Sequence, residues 1–361
     1  MNRNITLGIV IALIIGIIAV IELQKQNSDG TEITIDKNTP EYQLKASQYP
    51  RAKELVGIEG YINTDGRNIK IQDYIGKKVI LLDIWTYTCI NCQRTLPYIT
   101  SWYEKYKDDG LIIIGIHTPE FQFEKKIENV QNAVSQFNIN YPVVLDNNFA
   151  TWNAYENSYW PRKYLIDIDG FIVYDHVGEG GYKETEQKIQ ELLKERMERL
   201  NEDKQLDESL TEIESETNAA RSPETYFGAW RNNNFGNGKQ NTVGTQTLEL
   251  PKQIQPNTLY LSGTWDIQQQ YAKTTQKSDA IVFYYNAKKI FMVARADEPV
   301  NLKVFIDGQI PKNPGKDVIN GTATIKEDRL YELMNDTEAS PHIIELAAED
   351  GGLEVFTFTF G

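Results

Sequence analysis

The chain has 361 residues, with 51 acidic against 37 basic side chains and a formal charge of −14 at pH 7. That balance argues against nucleic acid as a partner, which would need a basic face for phosphate. Two cysteines and three histidines are too few for a disulfide framework or a zinc cage, so no metal is expected.

After Asn2-Arg3-Asn4, residues Ile5 to Ile21 carry no charge. As a helix they would span roughly 26 Å, close to a bilayer core of about 30 Å. The run meets Glu22 without a small-x-small cleavage site, which predicts an uncleaved anchor over 1–23. Arg3 favours a cytoplasmic N-terminus, so the chain is expected to be a single-pass membrane protein with its globular part extracytoplasmic. Disulfides persist in that compartment.

Residues 24–54 are polar and aperiodic and read as a tether. A first folded unit, 55–200, opens with Tyr61-Ile62-Asn63-Thr64-Asp65-Gly66 and Asn68 to Ile71, a hairpin pattern turning at Asp-Gly. A strand follows over Val79 to Trp85. A helix then runs from Cys92 to Lys107, with Leu96, Ile99, Trp102, Tyr103 and Tyr106 on one side and Pro97 inside it. Leu111 to Ile116 is a continuous apolar run that suits a central parallel strand. Further helical and strand patterns alternate up to a last helix carrying Ile189, Leu192, Leu193, Met197 and Leu200. The alternation predicts an α/β domain. Residues 201–222 are acidic and free of aromatics, the pattern of a linker. Over 223–361, short β-branched and aromatic runs separated by Asp307-Gly308, Asn313-Pro314-Gly315 and Asp350-Gly351-Gly352 predict an all-β sandwich.

The chemistry concentrates at Cys89-Ile90-Asn91-Cys92, the chain's one cysteine pair, placed where the strand ends and the helix begins. Backbone N–H groups and the helix dipole there favour a thiolate at Cys89. Cys92, one turn on, can attack a mixed disulfide formed at Cys89. Asp83 shares a strand face with Leu81 and Trp85; a carboxylate buried there has a raised pKa and can accept the Cys92 proton. His117 and Glu120 follow the end of a parallel strand, where either can tune a thiol or stabilise its loop. His176 and His342 have no motif around them. Tyr226, Phe227, Trp230, Phe235 and Trp265 read as core aromatics rather than a stacking platform.

Trp85-Thr86-Tyr87-Thr88-Cys89-Ile90-Asn91-Cys92 with Pro97, and the later Trp160-Pro161, resemble the thioredoxin superfamily. Within it the similarity is to the TlpA-like domain of DipZ-type membrane thiol–disulfide proteins. His117 to Phe121, Thr151 to Tyr155, Tyr159 to Asp167, Gly178-Glu179-Gly180, Ser222 to Gly228 and Phe356 to Gly361 extend the likeness over nearly everything after residue 55. The resemblance implies an α/β thioredoxin fold, a central mixed sheet flanked by helices, followed by a β-sandwich similar to a carbohydrate-binding module. It implies Cys89 as nucleophile, Cys92 as resolving cysteine, Pro161 as a cis-proline beside them, and Asp83 as the buried aspartate. Trp85, Trp160, Ile90 and Asn91 are then expected at the substrate surface. The redox-active dithiol replaces any cofactor, and protein disulfides are the expected partners. DipZ-type proteins carry a multi-pass electron-transferring domain that is not seen here, which implies a separate electron donor. The Ile-Asn pair lacks the histidine of strongly oxidising relatives and points to a reductase or isomerase. The alternatives are a peroxiredoxin-like peroxidase, for which Thr86 and Thr88 precede Cys89 but no proline does, and a glycan- or peptide-binding protein working through its β domain.

Overall fold

The structure, a computed structural model, describes residue 33, residues 35–214 and residues 220–361. The expected anchor at 1–23 lies outside the described residues, among which no helix is long and apolar enough to cross a membrane.

The first domain is built on six strands: β1 (Gly60–Ile62), β2 (Val79–Trp85), β3 (Leu111–His117), β4 (Val143–Leu145), β5 (Arg162–Ile166) and β6 (Ile172–Val177). Their order in the sheet is β1-β4-β3-β2-β5-β6. Strands β2, β3 and β4 run parallel, and β1, β5 and β6 pair antiparallel to their neighbours. The period of two along β2 sorts its side chains. Leu81 and Trp85 join a core with α2 (Ile90–Tyr106), α3 (Ile127–Gln136) and α5 (Tyr182–Leu200). Ile80, Leu82 and Ile84 face the other way, onto α4 (Ala150–Ala154) and the segment after residue 50.

Two expectations fail here. The hairpin over 61–71 does not form: β1 pairs with β4, with Tyr61 opposite Val144, and Ile71–Asp73 is a 3-10 turn. The Asp-Gly signal is local, whereas an open edge on the sheet offers β1 a longer-range partner. The tether likewise contains a helix, α1 (Pro40–Gln48). Thr39 caps it by accepting from the Tyr42 N–H, and Pro40 occupies its first turn. Tyr42 is buried edge-on against Phe171 at 5.0 Å. Lys45 sits among Asp167, Asp169 and Glu195, and Arg199 also pairs with Asp169.

The acidic linker also departs from expectation. Its described part runs back along α5 and α2 as a strap. Thr211 donates from N and Oγ1 to the buried Glu186 at 2.8 and 2.9 Å, and Ile213 O accepts from the Tyr98 hydroxyl. Leu206 and Ile213 pack on the first domain's core.

The second domain is all-β: β7 (Thr225–Tyr226), β8 (Gly244–Leu248), β9 (Leu259–Ile267), β10 (Ala272–Thr274), β11 (Ala280–Arg295), β12 (Val300–Ile306), β13 (Val318–Ile319), β14 (Thr322–Ile325), β15 (Arg329–Ala348) and β16 (Glu354–Phe360). Rather than two separate sheets, hydrogen bonding is continuous in the order β13-β14-β12-β15-β11-β16-β10-β9-β8. The long β11 joins its halves, pairing with β9 through Ala280–Phe283 and with β16 through Ile290–Arg295. One face of β11 enters the all-β core through Ile290 and Met292. The other presents Phe291 and Val293 to the α/β domain. On β16, pairing with β11 steps from Thr357 to Val355 and skips Phe356. Val355 and Phe358 lie in the all-β core, while the bulged Phe356 joins the α/β core beside Phe121 and Phe123. The two domains therefore share an apolar joint next to the loop that follows β3.

Candidate active site

The central strand β2 ends at Trp85, three residues cross the turn, and Cys89 becomes the N-cap of α2. Its Sγ accepts from the Cys92 N–H at 3.3 Å. Cys89 is half-buried and Cys92 only 1% exposed, and both are free thiols. Burial first, then the neighbouring Cys89, pushes the Cys92 thiol well above its ordinary value. The turn is fixed by Gln93, whose amide donates to Tyr87 O at 2.8 Å, and by the Thr118 N–H, which donates to Trp85 O.

Beneath the dithiol lies a buried polar group. Asp83 is 1% exposed, its Oδ1 has no hydrogen-bond partner, and burial raises its pKa to about 6, against the opposing pull of Lys163. Lys163 is opposite Asp83 across β2 and β5, fully buried, and donates to Gly178 O at 3.1 Å. Burial lowers its pKa, while Asp83 and Cys92 act to raise it. On the other side, Gly115 is opposite Asp83. A Cβ on Gly115 would lie 3.0 Å from Trp85 Nε1 and 3.1 Å from Tyr141 Cε2, so glycine makes room for both rings. Trp85 Nε1 and the Tyr141 hydroxyl are buried without hydrogen-bond partners.

The Trp160–Pro161 peptide is cis. Trp160 is half-buried, donates from Nε1 to Thr118 O at 3.0 Å, and packs on Trp152 at 4.3 Å. Pro161 O accepts from the Gly178 N–H. Asn91, between the cysteines, accepts from Arg94 at 2.6 Å, and Arg94 grips Glu179 with two bonds of 2.7 and 3.2 Å. Thus the dithiol helix, the loop before β5 and the loop after β6 are linked around one spot.

Three expected residues sit differently. Trp85 is fully buried, edge-on to His117 at 5.3 Å, and cannot meet a substrate. His117 is buried behind the turn, stacked on Tyr87, with Nε2 3.4 Å from Thr86 Oγ1. Burial drives its pKa down to about 3, so it is neutral. Glu120 turns away to the second domain, where it accepts from the Tyr226 hydroxyl at 2.9 Å and pairs with Arg231 at 2.7 Å. Ile90, 7% exposed, borders a cleft between the domains.

Two residues escaped the sequence reading. Lys163 could have been found, because alternation along β5 puts it on the face of Leu165. Glu124 could not: it lies in a single 3-10 turn (Gln122–Lys125), too short for a period, yet is fully buried and collects the hydroxyls of Thr86 and Thr88 at 2.7 and 2.6 Å.

Residues 35–175 match the AhpC/TSA family, and residues 222–361 match the family described as thioredoxin like C-terminal domain. DipZ of Mycobacterium tuberculosis is 34% identical over 354 residues, covering 94% of this chain and 49% of DipZ. The chain thus spans about half the length of the DipZ relatives it matches. Thiol-disulfide oxidoreductase ResA of Bacillus cereus is 30% identical over 146 residues, which are 39% of this chain and 81% of ResA. Thiol-disulfide oxidoreductase YkuV of Bacillus subtilis is 25% identical over 142 residues, 39% of this chain and 93% of YkuV. With its mixed sheet, its Cys-x-x-Cys turn and its all-β second domain, the chain belongs to the thioredoxin-like thiol–disulfide oxidoreductase family, in the two-domain arrangement it shares with DipZ.

Proposed function

We propose that the chain is a thiol–disulfide oxidoreductase acting on protein disulfides outside the membrane to which its N-terminal segment anchors it. One observation carries this reading: a half-buried Cys89 at a helix N-terminus, with the buried Cys92 one turn behind it. The Cys89 thiolate displaces one sulfur of a substrate disulfide, forming a mixed disulfide and releasing a thiolate that takes a proton from solvent. Cys92 then loses its proton and attacks Cys89 Sγ. The second substrate sulfur leaves, and two electrons have passed to the substrate. The Cys89–Cys92 disulfide left behind is reduced by a separate thiol donor. The raised Cys92 thiol needs a base, and Asp83, with a pKa of about 6, is ionised at neutral pH and lies within electrostatic reach. Pro161, Trp160, Ile90 and Asn91 border the place where the substrate chain lies. A cleft of about 640 Å³ between the domains, lined by Tyr87, Gln93, Asn129 and Arg329, leaves room beside the dithiol helix for polypeptide.

The peroxidase reading is weaker, because the hydroxyls of Thr86 and Thr88 that it would use both donate to Glu124. Cys89→Ser is expected to abolish reduction of a protein disulfide, and Cys92→Ser to accumulate mixed disulfides visible on non-reducing gels. Equal residual activity in both variants would refute the scheme. The reductase direction is expected to show as a reduction potential nearer to about −270 mV than to about −120 mV.

A further inference from the structure

The carboxylate of Glu124 lies at the centre of the loops behind the dithiol. Its Oε1 accepts from Thr86 Oγ1 at 2.7 Å, Thr88 Oγ1 at 2.6 Å and the Thr88 N–H at 3.4 Å. Its Oε2 accepts from the N–H groups of Glu120 at 2.5 Å and Phe121 at 2.9 Å. One oxygen therefore holds the turn that ends in Cys89, and the other holds the loop after β3. That second loop is in turn held by the all-β domain. Glu120 Oε1 lies 2.9 Å from the Tyr226 hydroxyl and 2.7 Å from Arg231, and the Arg231 guanidinium covers the Tyr226 ring at 3.6 Å. Phe121 packs on Phe356 at 5.0 Å. A side chain buried to 0% exposure carries an unbroken set of bonds from the second domain to the residue before the nucleophile.

We propose that Glu124 is a positioning residue for the Cys89 turn, and that the all-β domain sets the reactivity of the dithiol through the Tyr226/Arg231–Glu120–Glu124–Thr88 connection. The inference rests on the redox reading above. A nucleophile placed by its neighbours loses rate steeply when it is misplaced, by about a hundredfold for 1 Å. Glu124 is suited to the task because three of its partners, the N–H groups of Thr88, Glu120 and Phe121, can only donate, and they are divided between its two oxygens, so both must accept. An amide of the same shape must turn its NH2 against donors on one side.

The test uses the full chain. Two quantities are read for wild type, Glu124→Gln, Thr88→Val and the double variant Tyr226→Phe/Arg231→Met. They are the rate of Cys89 alkylation by iodoacetamide at pH 7 and the equilibrium constant of the dithiol with glutathione. Glu124→Gln is expected to change the alkylation rate by about tenfold or more, on the scale that misplacement of a reacting atom produces. The double variant, which leaves the first domain's sequence intact, is expected to shift both quantities in the same direction by a smaller factor. A folded Glu124→Gln protein with a lowered Tm but both quantities within twofold of wild type would mean that the residue only stabilises the loop, and would overturn the proposal. Should Glu124→Gln not fold, Thr88→Val and the double variant decide, and no change in both overturns it as well. A wild-type dithiol that does not exchange with glutathione at all would instead overturn the redox reading.

Discussion

Asp83 and His117 are both buried without full hydrogen bonding, and they bias stability in opposite directions. The folded pKa of Asp83 is about 6, raised from 3.8 by burial. Between pH 4 and 6 the native state therefore holds a proton that the unfolded state has released. Its contribution to stability is present below pH 4, is lost as pH rises to 6, and leaves a fixed cost above that of about 3 kcal/mol at most. Asp83→Asn is thus expected to stabilise the protein by up to about 3 kcal/mol at pH 8 and by almost nothing at pH 3.5. Urea titrations at the two values check this, and a gain at pH 3.5 equal to that at pH 8 would show that the carboxylate is not desolvated. His117 works the other way: held neutral to about pH 3 against an ordinary 6.5, it costs stability as pH falls below 6.5. Of these two, only Asp83 could be assigned its surroundings from sequence, because a charged residue in an apolar strand has one face to occupy. His117 ends β3, where alternation gives its side but not the Thr86 turn that covers it, and Glu120 lies in the loop beyond, where no period constrains direction and its partners come from a domain more than a hundred residues away.

Elements with a strong period are found where the sequence puts them. α5 buries Ile189, Leu192, Leu193, Met197 and Leu200 as its spacing predicts, and β3 is the central apolar strand. Elements defined by what they dock against are not. The sequence of β11 divides into two β-branched or aromatic runs, Asp279 to Asn286 and Lys289 to Arg295. In the fold it is one strand whose register against β15 shifts between Ala287 and Lys289, and whose partner changes from β9 to β16. Helix α1 is invisible for a similar reason: Tyr42 is its one buried side chain, too few for a period to show. Besides the Lys45 ion pairs, that ring is what holds the helix to the sheet. Tyr42→Ala is expected to cost about 3 kcal/mol, whereas Leu44→Ala, at a side chain 57% exposed, is expected to stay within about 0.5 kcal/mol of wild type. Equal effects at the two positions in thermal melts would mean that α1 does not hold to the sheet through Tyr42.

At the scale of the whole molecule, the two domains are joined by residues that each sequence segment spends in an unexpected direction. Phe291 and Val293 leave the all-β core for the α/β core, and the bulge in β16 sends Phe356 after them while Phe358 stays behind. Phe356 meets Phe121 at 5.0 Å, Phe123 at 4.9 Å and Tyr271 at 5.2 Å and is 2% exposed. Truncating a buried phenylalanine costs about 3–5 kcal/mol through lost burial and the cavity left behind. At Phe358 that cost falls inside the all-β domain. At Phe356 it falls on the joint, which makes the two variants a matched pair. Phe358→Ala is expected to destabilise the second domain. Phe356→Ala is expected instead to uncouple the domains, so that denaturation followed by far-UV circular dichroism and by tryptophan fluorescence gives two midpoints where wild type gives one. Because Phe121 also donates its N–H to Glu124, the uncoupled variant should alkylate Cys89 at an altered rate before either domain unfolds. A Phe356→Ala protein that unfolds in one step and alkylates at the wild-type rate would show that the joint does not couple the domains.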